Sequence, residues 1–393
     1  MTAQAEAPTA STVTGHIDPA AAFVPVQTRS ARERSNDPAS FPVPSGREVN
    51  WKHTPLDRIA SLLTDAPGAE AAVSITVAGP LAAAGLRHGE APRGDVFVAE
   101  DVTAAIAWSR ATEAVYLSIP AGVELEEPTI VDLRGAGGVA HAHIVLEAQP
   151  NARGTIVLRH AGTAALSENV EIIVRDGASL TVVAVQEWDD DAVHVAAHQA
   201  RVDRDATLRH VVVSFGGSLV RINPSVDLAG TGSRGELYGL SFADAGQHLE
   251  SQVFLHHHGA QTSGDVLYKG ALQGDTARSV WIGDVLIGPD AVGTDSYEAN
   301  RNLVLTDGAR ADSIPNLEIQ TGDIRGAGHA SATGRFDDEQ LFYLQARGID
   351  EEEARRLVVI GFLMEIVQKM GVPELEQRLV AAIEAELEQG PAR

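Results

Sequence analysis

The chain contains no cysteine. That excludes a disulfide scaffold, and any zinc or iron–sulfur site built only from its own thiolates. Aromatic residues make up 5% of the 393 positions, so a core must be assembled from small branched side chains in regular layers. Positive charge is scarce too: 30 Lys and Arg face 54 Asp and Glu, a formal net charge of −24. Such a surface repels nucleic acid and anionic membrane, and neither is expected as a partner. No run approaches the ~18 uninterrupted apolar residues of a membrane-spanning helix. The opening MTAQAEAPTASTVTG has neither the basic nor the apolar region of a secretory signal. The phosphate-binding pattern G-x-x-x-x-G-K-[ST] does not occur, nor do G-x-S-x-G and H-E-x-x-H. These absences describe a soluble, acidic, cytoplasmic protein without a P-loop of its own.

What is present changes in texture along the chain. Residues 1–40, rich in Ala, Thr, Ser and Pro without periodicity, are expected to be disordered. A mixed pattern over 41–114, with helical spacing at Leu56, Ile59 and Leu63, reads as a small α/β region. From about 115 to 335 short apolar runs such as GTIVLRH, VEIIVRD and SLTVVAVQE alternate with small-residue turns, which is the signature of strands. The turns PNARGTIV, DGASLTVV, RDATLRHV and TGSRGELY return about every 25 to 28 residues, within the range of stacked repeats. No room is left for the helices of a βαβ sheet. A β-helix follows, with a two-sheet sandwich as the competing architecture.

Residues 336–393 turn helical. Asp337 with Gln340 has capping-box form, Gly348 suits a helix terminator, and Asp350 with Glu353 opens a second helix. That helix carries Leu357, Ile360, Met364 and Val367 on one stripe, and a third has Leu375, Leu379, Ile383 and Leu387 four apart. A helical domain of this kind suits the open end of a stack of coils, as a cap or as a grip for another protein.

Four motifs invite chemical readings. GTGSRG (230–235) fits G-x-G-x-x-G literally, but a strand rather than a helix follows it, so it reads as a tight turn. In HHH, a strand would send His256 and His258 to one face and His257 to the other. At most two could then share an ion, and surface or core-edge histidines are the commoner outcome. WDDD (188–191) resembles the carboxylate clusters of sugar-cleaving β-helices but more often marks a solvated loop. His329 stands in GAGHASATG, where nothing bulky shields it. Small neighbours at Gly326, Gly328, Ala330 and Ser331 would let another chain approach, and neutral imidazole can ligate iron in place of a thiolate. A histidine that merely fixes the turn into the next helix is the alternative.

The run IPNLEIQTGDIRGAGHASATGRFDDEQLFYLQARGIDEEEARRLVVIGF (314–362) closely resembles the C-terminal signature of the SufB/SufD family of iron–sulfur cluster assembly proteins. NVEIIVRDGASLTVVAVQE, HHHGAQTSGDVLYKGAL and REVNWKHTPL resemble further family segments, so the likeness spans about 46–370. The Trp-Lys-x-Thr-Pro-Leu element and the lack of cysteine, including in EANRNLVLTDGA (298–309), look like the SufD branch. The family resemblance implies a mainly β fold: a right-handed parallel β-helix flanked by an N-terminal α/β region and C-terminal helices. It implies a non-catalytic scaffold that pairs with a SufB-like subunit and a SufC-like ATPase, which supplies the ATP hydrolysis, and that takes part in iron acquisition. A transient iron–sulfur cluster would be shared with the partner subunit and not held stably by this chain alone. His329 falls on the histidine proposed as a cluster ligand at the SufB interface, and Phe342, Tyr343 and Arg347 on the surface that would meet the ATPase. Ala327, Gly328 and Ala330 depart from the Cys-Ser-His-Gly found in many members. Open alternatives are a SufB-like role, a homodimer in isolation and, in another class, a β-helix carbohydrate-active enzyme or adhesin.

Overall fold

The computed structural model describes residues 32–335 and 338–389. An N-terminal region holds β1 (Val73–Ala78), β2 (Ala84–Arg87), α1 (Val102–Arg110) and β3 (Glu113–Ile119). Two long strands, β4 (Thr129–Ala148) and β5 (Arg153–Val174), open the central body. After them come β6 (Ser179–Trp188), β7 (Val193–Val202), β8 (Thr207–Gly216), β9 (Leu219–Leu228), β10 (Arg234–Ala243) and β11 (His248–His257). The series ends with β12 (Ser263–Leu272), β13 (Arg278–Ile287), β14 (Thr294–Val304), β15 (Arg310–Ile319) and β16 (Ile324–Arg335). The helices α2 (Asp338–Gln345), α3 (Glu351–Val367) and α4 (Pro373–Gln389) follow.

From β5 onward the strands alternate between two parallel walls. β6, β8, β10, β12, β14 and β16 pair in sequence on one wall, and β7, β9, β11, β13 and β15 on the other, with β5 shared by both. This is the parallel β-helix that the short repeats require, not a sandwich. Strands on one wall begin at Ser179, Thr207, Arg234, Ser263, Thr294 and Ile324, so a coil takes about 27 to 31 residues, lengthening toward the end.

The recurring turns have a common physical cause. Asn151, Gly177, Asp205, Gly232, Gln261 and Gly293 all adopt positive φ, one per coil. Each amide in this column bonds to the coil above: Gly177 N–H to Arg204 O at 2.9 Å, and Asp205 N–H to Thr231 O at 3.0 Å. Glycine enters the left-handed region at no steric cost, and asparagine and aspartate tolerate it best among the others; Gln261 adopts it as well, at φ 56°. Gly232 is confined further, since a Cβ there would stand 2.5 Å from the Asp205 carboxylate. The GTGSRG motif is therefore one of these corners.

Period-two alternation sorts the strand side chains. Leu158, Leu166, Ile172, Val182, Ala184, Val212, Ile222, Val253 and Val266 point inward and form one continuous core. Val183, Val185, Val211, Val213, Tyr238, Leu240 and Phe242 point outward, where Val359, Leu363, Ile366 and Val367 of α3 and Leu375, Leu379 and Ile383 of α4 cover them. The C-terminal helices thus lie along one wall of the solenoid and do not cap its end.

Two local expectations change. Of the expected stripe on α3, Val367 is buried and Ile360 and Met364 pack partly buried against the outer wall, but Leu357 does not, because LVVIGFLM is apolar all round. The sheet selects Val359, Leu363, Ile366 and Val367 and leaves Leu357 40% exposed. The spacing at Leu56, Ile59 and Leu63 yields a single 3-10 turn, Ala60–Leu63, because Pro67 and Gly68 stop the segment. Asp350 does cap α3, accepting from the Glu353 N–H at 2.9 Å, and Gly348 ends α2 with φ 88°. The Asp337 cap and the expectation for residues 1–31 lie outside the described residues. Residues 32–40 are tied down, with Ser35 N–H bonded to Ala99 O at 2.9 Å.

The N-terminal region covers the other wall and is held by Arg221, which is fully buried on β9. Its guanidinium lies 4.1 Å from the Trp51 ring centroid and pairs with Glu250 at 3.2 Å and Asp101 at 3.3 Å. It also donates to Asn50 O at 2.9 Å, while Thr54 Oγ1 donates to Glu250 Oε2 at 2.9 Å. The WKHTPL element therefore anchors this wall.

Val182 and Val212 are at most 1% exposed in the inner core. Val182→Asp or Val212→Asp should lower stability by several kcal/mol, about 3–5, by burying an unpaired charge. Denaturant titration of both variants checks this, and wild-type midpoints would contradict the core.

Candidate functional site

The last coil is bonded on one side only: β15 to β13, and β16 to β14. Among the described residues its other edge is uncovered, leaving a row of backbone donors and acceptors without strand partners. Parallel register fixes what this end displays. Ala327, His329 and Ser331 stand over Ser296, Glu298 and Asn300, on the side facing the solenoid interior. Gly326, Gly328 and Ala330 stand over Asp295, Tyr297 and Ala299, on the outer side.

His329 is exposed at the mouth of the solenoid, in the middle of β16 and not at the turn into α2. Its ring makes no hydrogen bond to another described residue, so it does not serve as a turn clamp. Beside it Ser331 Oγ donates to Ser313 Oγ of β15 at 2.8 Å, bridging the two walls. One of the small neighbours has a local reason of its own. Gly326 and Gly328 lie on the face opposite the imidazole, and a Cβ on Gly328 would stand 3.3 Å from the Tyr297 ring. Glycine there makes room for Tyr297, which is 49% exposed.

One coil below His329 sits Glu298, 1% exposed, with neither carboxylate oxygen at hydrogen-bonding geometry to a partner. Burial pushes its pKa up to about 8; the Asp284 carboxylate adds to the rise and the Asn316 backbone N–H opposes it. Glu298 lies over Gly283 and against Trp281, since a Cβ on Gly283 would be 2.4 Å from Oε2 and 2.3 Å from the indole. Trp281 Nε1 and the Tyr268 hydroxyl are also buried without partners. Trp281 and Tyr268, with Ser214, Ser241, Ser251, Ser279 and Asn300, line a small cavity. Buried polar atoms without partners also occur in the early coils, at Glu168 Oε1, His194 Nε2 and His198 Nε2.

The early coils carry a contrasting cluster that sequence reasoning missed. Glu168, His160 and His194 all point inward with side chains 0% exposed. Glu168 Oε2 lies 3.0 Å from His160 Nε2 and 3.3 Å from His194 Nε2. His160 Nδ1 is 3.2 Å from Val185 O, an acceptor only, so that nitrogen carries a proton. Although burial raises the Glu168 pKa, the two imidazoles outweigh it and the carboxyl ends well below its usual range. Deeper still, His198 Nδ1 and His210 Nε2 meet at 2.9 Å, and burial lowers the His210 pKa to about 4. The signal was available: His160 is two residues beyond the inward Leu158, and His194 is two before the inward Ala196.

The remaining candidates separate cleanly. His257 is buried inside, between Thr262 Oγ1 at 2.8 Å and Ser296 Oγ at 2.9 Å, whereas His256 and His258 face outward as the alternation required. Asp189, Asp190 and Asp191 form an exposed turn, with Asp191 accepting from Thr163 at 2.5 Å and Asp190 from Gln247 at 3.3 Å. They present no pair of free carboxylates. On α2, Phe342 is 72% exposed and Tyr343 56% exposed, and the Arg347 guanidinium lies 4.3 Å from the Tyr343 ring centroid. These three form a surface cluster apart from the His329 mouth.

Residues 131–362 match the family model described as SUF system FeS cluster assembly, SufBD core domain. Over 364 residues the chain is 48% identical to an iron–sulfur cluster assembly SufBD family protein of Mycobacterium bovis, covering 90% of this chain and 92% of that one. A protein of the same description from Mycobacterium leprae is 46% identical over 363 residues, covering 90% and 93%. A second Mycobacterium leprae protein so described is 29% identical over 219 residues, 56% of this chain and 25% of the other.

Glu298 generates a prediction in pH. With a folded pKa of about 8 against 4.5 for an ordinary glutamate, the folded chain keeps a proton that the unfolded chain has lost. Raising pH between those values therefore removes stability. Glu298→Gln cannot lose that proton, so its stability relative to wild type should climb from pH ~4.5 to ~8 and level off above. Urea denaturation across that range tests it; a difference independent of pH would contradict the assignment.

Proposed function

This chain belongs to the SufBD family of iron–sulfur cluster assembly proteins, and we propose that within it the chain is a SufD-like scaffold subunit. The observation that carries this reading is the uncovered mouth of the β-helix, where an exposed, unbonded imidazole projects from a chain without a single thiolate. Such a chain can contribute to an iron–sulfur centre only through histidine, carboxylate or water, and imidazole is the best accepted of these. His329 then supplies one ligand to a transient cluster, and a SufB-like subunit paired along β15 and β16 supplies the others. The cluster is cargo of the pair, and this chain alone does not retain it. The same ligand gives the pair a means of taking up iron.

Two members of the family in Mycobacterium leprae, one similar to this chain almost end to end and one far less so, are consistent with two specialised subunits. A SufB-like role is disfavoured by the absence of cysteine from 298–309. The same open edges would also accept a second copy of this chain when the partner is absent. We assign no reaction to this chain itself. No P-loop motif is present, and ATP hydrolysis is left to a SufC-like ATPase gripping the C-terminal helices. Phe342, Tyr343 and Arg347 form the grip: two exposed aromatics and an arginine are the residue types that dominate hot spots. No described helix is long and apolar enough to cross a membrane, and a cytoplasmic site of action suits the reading.

Co-expression with a SufB-like subunit and a P-loop ATPase tests each part. His329→Ala should leave the complex assembled but lower the iron and sulfide recovered with it, and His329→Cys, a softer ligand, should restore part. Wild-type cluster content in the alanine variant would refute the ligand role. Phe342→Ala with Arg347→Ala should weaken ATPase co-purification at unchanged thermal stability. If the ATPase still binds, the grip lies further along, within 350–388.

A further inference from the structure

The sequence left HHH unexplained, and the register of the coils adds what it lacked. His256 of β11 stands directly over Asp227 of β9, on the outer face of the solenoid. His258, two residues on, projects from the same face. The Nδ1 atoms of both rings converge on one atom, Asp227 Oδ1, at 3.6 Å and 3.9 Å. That oxygen is itself buried without a hydrogen-bond partner. Its neighbour along the wall, Arg201, directs its Nε to Asp203 at 2.9 Å instead.

These separations are too long for hydrogen bonds. Two ligands each about 2.0–2.2 Å from a shared ion stand roughly 3.3 to 4 Å apart; both Nδ1–Oδ1 separations fall in that range, and all three ligand atoms lie within 4.8 Å of one another. The buried His160, Glu168 and His194 cluster differs on this point: its spacings of 3.0 and 3.3 Å are already those of hydrogen-bonded partners, and solvent does not reach it. At the surface triad the side chains are 28%, 63% and 40% exposed, so a hydrated cation has a path in and a water can complete the coordination. The Phe254 ring, 6.0 Å from the His256 ring and stacked with it, limits the imidazole's freedom.

We infer that Asp227, His256 and His258 form a binding site for a divalent first-row transition-metal cation, with the fourth position open to solvent. Two imidazoles and one carboxylate select zinc, cobalt, iron or copper over magnesium or calcium, which prefer sets made wholly of oxygen. The site is separate from the His329 mouth: it lies on the outer face of the opposite wall, and it requires no partner subunit.

The isolated full-length chain, stripped with a chelator, is titrated with Co²⁺ while the visible ligand-field bands are recorded, and with Zn²⁺ by calorimetry. Wild type should take up one ion per chain with bands of a low-coordinate nitrogen–oxygen site, unaffected by millimolar Mg²⁺ or Ca²⁺. His256→Ala combined with His258→Ala should abolish the bands, and Asp227→Asn alone should weaken binding at least roughly tenfold, since outer-sphere changes by themselves cost about 10–100-fold. His329→Ala should leave this binding unchanged, which keeps its outcome distinct from that of the cluster-ligand proposal. Retention of the same bands and stoichiometry by the double histidine variant would overturn the assignment, as would wild-type uptake that Mg²⁺ displaces.

Discussion

Everything in this molecule follows from parallel strands held in register from coil to coil. Each rung places a residue directly over its counterpart one coil earlier, so side chains form columns and a column's character is inherited along the stack. Apolar columns make the core. Where a polar residue enters a column it must find its partner in the adjacent coil or across the narrow interior, because no water is there to help. His329 over Glu298, and His256 over Asp227, are products of the same rule. So is the open end, since a stack has no way to satisfy its last edge from within.

A solenoid with two broad walls has outer faces as well as a core, and each is covered by different means. The C-terminal helices lay Val359, Leu363, Leu379 and Ile383 on an outer surface that is itself apolar, so burial alone holds them there. The opposite wall is fastened by a charge: Arg221, fully buried, with Trp51 on its face and two carboxylates at its edge. A buried guanidinium without partners would be far too costly. The N-terminal segment that brings Trp51 and the Asn50 carbonyl is therefore part of the solenoid's own stability. The cover stops short of the far ends of β9 and β11, which leaves Asp227, His256 and His258 in contact with solvent.

The repeats were legible because each corresponds to one positive-φ corner, where glycine, asparagine or aspartate stands in five of the six coils and Gln261 in the other. The strands were legible through alternation at Val182, Ala184 and Val212. The placement of α3 and α4 was not, because an amphipathic helix announces that it has a buried face but not what covers it. Leu357 was misjudged because its helix is apolar on more than one side. The polar interior was missed for another reason. His160 and Glu168 lie eight residues apart in the one long strand β5, and nothing in that spacing says that the strand passes from one wall to the other between them. His329 stood out because its neighbours were small, and one of them, Gly328, answers to Tyr297 on the other face.

Glu168 and Glu298 make the difference between the two ends of the stack concrete. Both are glutamates inside the same solenoid and both are almost wholly withdrawn from water. Glu168 meets two imidazoles, and its carboxyl is held far below the ordinary range. Glu298 meets none, and its pKa rises to about 8. Desolvation acts on both in the same direction, so the partners alone decide the sign. At the early end the fold supplies those partners itself. At the late end it leaves Glu298, Trp281 Nε1 and the Tyr268 hydroxyl without them, directly beneath an exposed histidine and an unpaired strand edge. The set of partners, and not the depth of burial, is what separates the two carboxylates.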